Sequence, residues 1–135
     1  MAGVPSGFKP AKFNGGFLEQ NGPFYVREQG DVWQVGLMVD ASHSNYIGIV
    51  HGGVLSTLAD VALSMQPFMR EQAKLPVTTT TLTINFLAPA REGDWLVAEC
   101  RIDRAGYRTS HVSGSICRED ETLATMSGVF NTKRS

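Results

Sequence analysis

The chain has 135 residues, 42% of them hydrophobic and 19% charged, which is the length and composition of one folded domain with a single core. Twelve Lys and Arg against 13 Asp and Glu leave a net charge of −1, which excludes a dedicated nucleic-acid binder that needs a basic face to displace phosphate counterions. No apolar run approaches the roughly 18 residues of a membrane span, the opening MAGVPSGFKPAKF lacks the apolar core of a secretory signal, and Cys100 and Cys117 have no CxxC spacing, so a reduced, cytoplasmic protein is expected.

Residues 1–23 are punctuated by Gly3, Pro5, Gly7, Pro10, Gly15, Gly16, Gly22 and Pro23, and predict an extended arm with at most one helical turn around Phe17–Gln20. Residues 24–135 then form a single domain. Asp31–Val39 alternates Trp33, Val35, Leu37 and Val39 against Gln34, Gly36 and Met38, the period of a half-buried strand. Residues 40–50 read as loop. From His51 to about Gln72 apolar residues recur at Val54, Leu55, Leu58, Val61, Ala62 and Met65, spacings of three and four that mark a helix, with Pro67 expected to kink it or end its regular part. Four strands follow. Val77–Leu87 places Leu82, Ile84 and Phe86 on one face; after a turn at Pro89–Gly93, Trp95–Ile102 places Leu96, Ala98, Cys100 and Ile102 on one face. Past a turn at Arg104–Gly106, Tyr107–Cys117 turns Val112, Gly114 and Ile116 inward, and Leu123–Phe130 does the same with Ala124, Met126, Gly128 and Phe130.

One strand, one long helix and four strands at hairpin spacing imply an α+β layout. The helix is apolar over much of its circumference, so an antiparallel sheet must curve around it. This is the hotdog fold, a curved antiparallel sheet wrapped around one long central helix. Such a unit leaves a sheet edge and a helix flank uncovered, and dimerisation is the usual way to hide them.

The informative stretch runs from Asn45 through His51-Gly52-Gly53 to Asp60. Amides at a helix start have no acceptor within the helix and lie at the positive end of its dipole. The absence of a Cβ at Gly52 and Gly53 lets a ligand oxygen approach them, a donor site for a carbonyl that gains negative charge. A second stripe on the helix, Gly53, Ser56, Thr57, Asp60 and Ser64, is small and polar. Asp60 is the only charged residue between His51 and Arg70. At 1.5 Å per residue it lies about 12 Å from the helix start, too far to serve a carbonyl held at its own Gly52. A twofold dimer could bring Asp60 of one subunit beside Gly52 of the other. Read one at a time, these residues also fit plainer roles: a solvated helix carboxylate, a tight turn, a capping histidine, a loop asparagine.

Taken together, the constellation resembles the PaaI-like acyl-CoA thioesterases of the hotdog superfamily, in which a loop Asn precedes an HGG helix start and an Asp follows on the same helix. The resemblance extends over nearly the whole chain, including NFLAPAREGDWL and the pair GYRTSHVSGSI and TLATMSGVF. It implies hydrolysis of an acyl-CoA to free acid and coenzyme A. The amide of Gly52 and the side chain of Asn45 would polarise the thioester carbonyl, and His51 would fix the Asn45 loop and the helix start. Asp60 from the facing subunit would activate water or attack the carbonyl itself. A hydroxyl at the start of the next strand, Thr78 in the run Val77–Thr81, would orient the water. No metal or other cofactor is required, since a thioester is activated enough for one carboxylate and one oxyanion site. Gly53, Arg104 and Arg108 are candidates for binding coenzyme A, with Arg70 and Lys74 as further cations for its phosphates; Met65, Phe68 and Met69 are candidates for the acyl pocket. The assembly implied is a homodimer or a homotetramer built as a dimer of dimers. A non-catalytic acyl-CoA-binding module and a hotdog hydratase or dehydratase are the alternative readings. A zinc site from His43, His51 and Asp40 or Asp60 matches no known ligand spacing, and a serine hydrolase lacks G-x-S-x-G.

Overall fold

The computed structural model describes residues 3–13, 16–70 and 77–132. The elements in chain order are β1 (Lys9–Pro10), α1 (Gly16–Asn21), β2 (Phe24–Gln29), β3 (Val32–Met38), a 3-10 turn (Ala41–His43), α2 (Gly52–Arg70), β4 (Thr78–Phe86), β5 (Trp95–Ala105), β6 (Thr109–Arg118) and β7 (Glu121–Asn131). All seven strands form one antiparallel sheet in the order β1-β2-β3-β5-β6-β7-β4, and α2 packs across its inner face, the hotdog arrangement.

Leu58, Ala59, Ala62 and Leu63 of α2 are fully buried against Val35, Leu37, Leu96, Ala98, Ile116 and Phe130 of the sheet. Each buried Leu or Ile in this seam contributes about 1.5–3 kcal/mol. Cys100 belongs to the same core, and burial, with Glu99 beside it, pushes its thiol up to about 12. That thiol is a small apolar packing group and not a nucleophile.

Three features depart from the pattern read in the sequence. The first is at the N-terminus. Phe24–Gln29 forms β2, a strand the apolar spacing does not mark, and the expected arm adds strand β1, pairing Lys9 with Val26 and Pro10 with Tyr25. It also lays Phe8 edge-on against Trp95, with ring centroids 5.1 Å apart, on the outer face of the sheet. Trp95 fills the space above Gly36, where a Cβ would come within 2.3 Å of the indole ring. The second is the connection after β4. The segment around Pro89–Gly93 is not a hairpin turn. It crosses the sheet, because β4 pairs with β7 and β5 with β3. Ala90 at its centre is buried, and its carbonyl accepts from the amide of Val50 at 2.8 Å.

The third is in α2, which continues through Pro67 to Arg70. Proline forfeits one backbone hydrogen bond. The neighbouring Gln66 supplies others: its Nε2 donates to the carbonyls of Ala62 at 2.8 Å and Trp33 at 2.7 Å, and its Oε1 accepts from the Trp33 amide at 2.9 Å. Pairing of β3 with β5 starts at Val35, so the buried Gln66 amide takes the place of a neighbouring strand at Trp33.

Candidate active site

The start of α2 is built by His51. Its carbonyl accepts from the amides of Val54 and Leu55, and its ring Nδ1 accepts from the Gly53 amide at 2.8 Å. The histidine is therefore a helix cap. A Cβ on Gly53 would lie 2.9 Å from that Nδ1, so the second glycine is what lets the ring reach over the helix end. The N–H of Gly53, a residue expected to bind coenzyme A, is engaged by the histidine ring. The amide of Gly52 has no acceptor among the described residues, and a Cβ there would sit 3.3 Å from the Phe86 ring. Gly52 is thus the open donor at the positive end of the helix.

Asn45 lies in the loop before α2. Its Oδ1 accepts from the amides of Ile47 at 3.0 Å and Ile49 at 3.3 Å, which closes the loop on itself and leaves Nδ2 as the donor for a ligand. The loop is fastened at its root by the 3-10 turn. Asp40 caps that turn. The Ser42 hydroxyl and, less strongly, its amide hold the Asp40 carboxyl below the usual carboxylate range, with partial desolvation opposing them. His43, 1% exposed, accepts from the Asp40 amide at Nδ1 and donates from Nε2 to the carbonyl of Asn21. Those two bonds fix the neutral Nε2–H tautomer and use both ring nitrogens. Asn45 and Gly52 together line a cavity of about 390 Å³ whose other walls include Leu55, Phe86 and Pro89.

Asp60 lies on the outer flank of α2 in a different cavity, of about 550 Å³, shared with Ser56, Ser64, Thr79, Phe17 and Leu18. Its Oδ1 accepts from the Thr79 hydroxyl at 2.6 Å. The hydroxyls of Ser56, Thr57 and Ser64 donate to carbonyls of their own helix, at Gly52, Gly53 and Val61. Among the described residues Asp60 is the one carboxylate lining the cleft, and Thr79 is the one strand hydroxyl that bonds to it.

The threonine is not the expected Thr78. Counting back in steps of two from inward Leu82 puts Thr80 and Thr78 inward. The pairing with β7 shifts by one residue between Thr79 and Thr81, a bulge that reverses the alternation. Thr79 then pairs with buried Phe130 and faces α2, while Thr78 pairs with Asn131.

The remaining candidates lie elsewhere. Arg104 and Arg108 are exposed at the β5–β6 turn, on the sheet end that carries Thr79 but outside both cavities. Met65 packs against the core, and Phe68 and Met69 are exposed near the C-terminal end of α2, so none of the three lines the Asp60 cleft. Lys74 and the side chain of Arg70 lie outside the described residues. Phe17 and Leu18, which do line the cleft, carried no signal beyond a single helical turn in a Gly-rich stretch. One chain thus brings Asp60 to Thr79 and Asn45 to Gly52, and keeps the two pairs in separate cavities.

A family model described as the thioesterase superfamily matches residues 47–125. A provisionally named esterase of Pseudomonas aeruginosa is 36% identical over 132 residues, covering 97% of this chain and 98% of that protein. Acyl-coenzyme A thioesterase 13 of Mus musculus is 29% identical over 77 residues, 57% of this chain and 54% of that protein. Among solved structures, the E. coli PaaI protein of the phenylacetic acid degradation operon is similar with a TM-score of 0.74 at 24% identity, covering 83% of this chain and 80% of that one.

Proposed function

The chain belongs to the thioesterase superfamily, and on that premise we propose that it hydrolyses acyl-coenzyme A thioesters in a site shared by two subunits, with Asp60 as general base. The observation that carries this reading is the Asp60–Thr79 pair. A carboxylate oriented by a strand hydroxyl opens onto a cleft with apolar walls, and the helix-start donor lies in a separate cavity of the same chain.

The chemistry follows from those groups. The thioester carbonyl sits against the Gly52 N–H and the Asn45 Nδ2 of one subunit. Asp60 of the facing subunit, its Oδ1 held by Thr79, uses Oδ2 to take a proton from a water molecule as the water oxygen bonds to the carbonyl carbon. The oxyanion so formed is stabilised by the two donors. The intermediate collapses by breaking the C–S bond, and the proton on Asp60 passes to the departing thiolate, giving free acid and coenzyme A. Direct attack by Oδ2, through an anhydride that water then opens, uses the same residues. His51 serves as the helix cap that keeps the Gly52 amide open. Arg104 and Arg108 are the exposed cations available to the phosphates of coenzyme A. No metal or further cofactor has a role in this scheme.

The test is thiol release from a panel of aliphatic and aryl acyl-coenzyme A substrates. Asp60→Ala should abolish turnover, and Asp60→Asn should lower kcat by about 10²-fold or more, as expected on removal of a general base. Undiminished turnover in Asp60→Ala would overturn the assignment.

A further inference from the structure

Building on that reading, we propose that the short helix α1 is the end wall of the acyl pocket, and that Phe17 sets the length of the acyl group accepted. Phe17 and Leu18 line the same cleft as Asp60 and Thr79, and Val61 and Leu82 complete its apolar sides. Leu18 packs against the core, whereas Phe17 is 64% exposed in the single chain. A large aromatic ring that lines an apolar cleft gains burial when an apolar group fills the space beside it.

The wall is fastened in place. The Asn21 side chain donates to the carbonyl of Phe17 at 2.7 Å, and the Gly22 amide donates to the carbonyl of Leu18 at 3.0 Å. Buried His43 donates to the carbonyl of Asn21 at 2.7 Å and accepts from the Asp40 amide at 2.9 Å. His43 therefore ties α1 to the root of the Asn45 loop of the same chain, which holds the helix in one position against the cleft.

The charge of the cleft narrows the substrate class. Asp60 is the only ionisable group lining it, and no Lys, Arg or His joins it among the described residues. A carboxylate at the far end of the acyl group would meet no cation among the described residues lining this cleft, which is unfavourable. The acyl group is uncharged and apolar.

The experiment measures kcat/KM for straight-chain acyl-coenzyme A substrates of increasing length, with wild type, Phe17→Ala and Phe17→Trp. In the wild type kcat/KM should rise by about fourfold per methylene while the chain is still being buried, then stop rising where it meets the wall. Phe17→Ala should move that break to longer chains and Phe17→Trp to shorter ones, and an acyl group ending in a carboxylate should be rejected by all three. Hydrolysis with the break unmoved in both variants overturns the role of α1 and leaves the thioesterase reading standing. Absence of hydrolysis with every substrate overturns both.

Discussion

Thr79 owes its place beside Asp60 to one extra residue in β4. Without the bulge between Thr79 and Thr81, the alternation would send the Thr79 side chain to the outer face and Thr78 toward α2. The consequence is a contrast between neighbours of the same type. Thr79→Val removes the hydrogen bond to the Asp60 carboxylate and should lower kcat about tenfold or more, in line with the strength of a hydrogen bond to a charged group. Thr78→Val should leave steady-state kinetics within about twofold of wild type, because Thr78 does not touch the cleft. Equal losses in the two variants would show that the register is wrong. The residues of the helix start were legible in the sequence because their signals are local: His51 precedes two glycines, and Asp60 is an isolated charge on an apolar helix. The identity of the threonine was not, since a run of four threonines carries no mark of a bulge.

At the scale of elements, α2 is the piece on which everything else is hung. Its start presents Gly52, its flank presents Asp60, and Gln66 near its end completes the backbone pairing of Trp33. Gln66→Ala would leave the Trp33 amide and carbonyl without partners and open a cavity in a fully packed seam. A loss of about 2–4 kcal/mol in denaturant unfolding is expected, against little change for an exposed glutamine such as Gln29. The period of α2 and of β3 and β5 through β7 could be read from the apolar spacing. The elements before Asp31 could not. In Phe24–Gln29 the inward pair Phe24 and Val26 is followed at once by Arg27, Glu28 and Gln29, too short an alternation to register as a strand. β1 is two residues long and contains a proline. These pieces are specified by what they pack on, Trp95 and the edge of β3, and that information is not local. The same holds for α1, and with it the wall of the acyl pocket.

The whole molecule presents two cavities that the proposed mechanism joins across a dimer. One holds the donors Gly52 and Asn45 and is surrounded by exposed Tyr46, Ile47, Phe86 and Leu87; the other holds Asp60 and Thr79. The open edge of β4 and that exposed apolar rim sit together, the kind of surface that a second copy of the chain covers. In the proposed mechanism each site draws its donors from one subunit and its carboxylate from the other. Asn45→Asp keeps the side-chain oxygen that holds the loop and replaces the Nδ2 donor with a repelling oxygen; Asp60→Ala removes the base. Each variant alone should be inactive. The direct measurement is acyl-coenzyme A hydrolysis by an equal mixture of the two after subunit exchange, with exchange verified by co-purification of a tag on one variant. In a mixed dimer of twofold symmetry one of the two sites is fully native, so activity should return to about a quarter of the wild-type value. A mixture that stays inactive while the tagged and untagged chains co-purify would contradict the shared site.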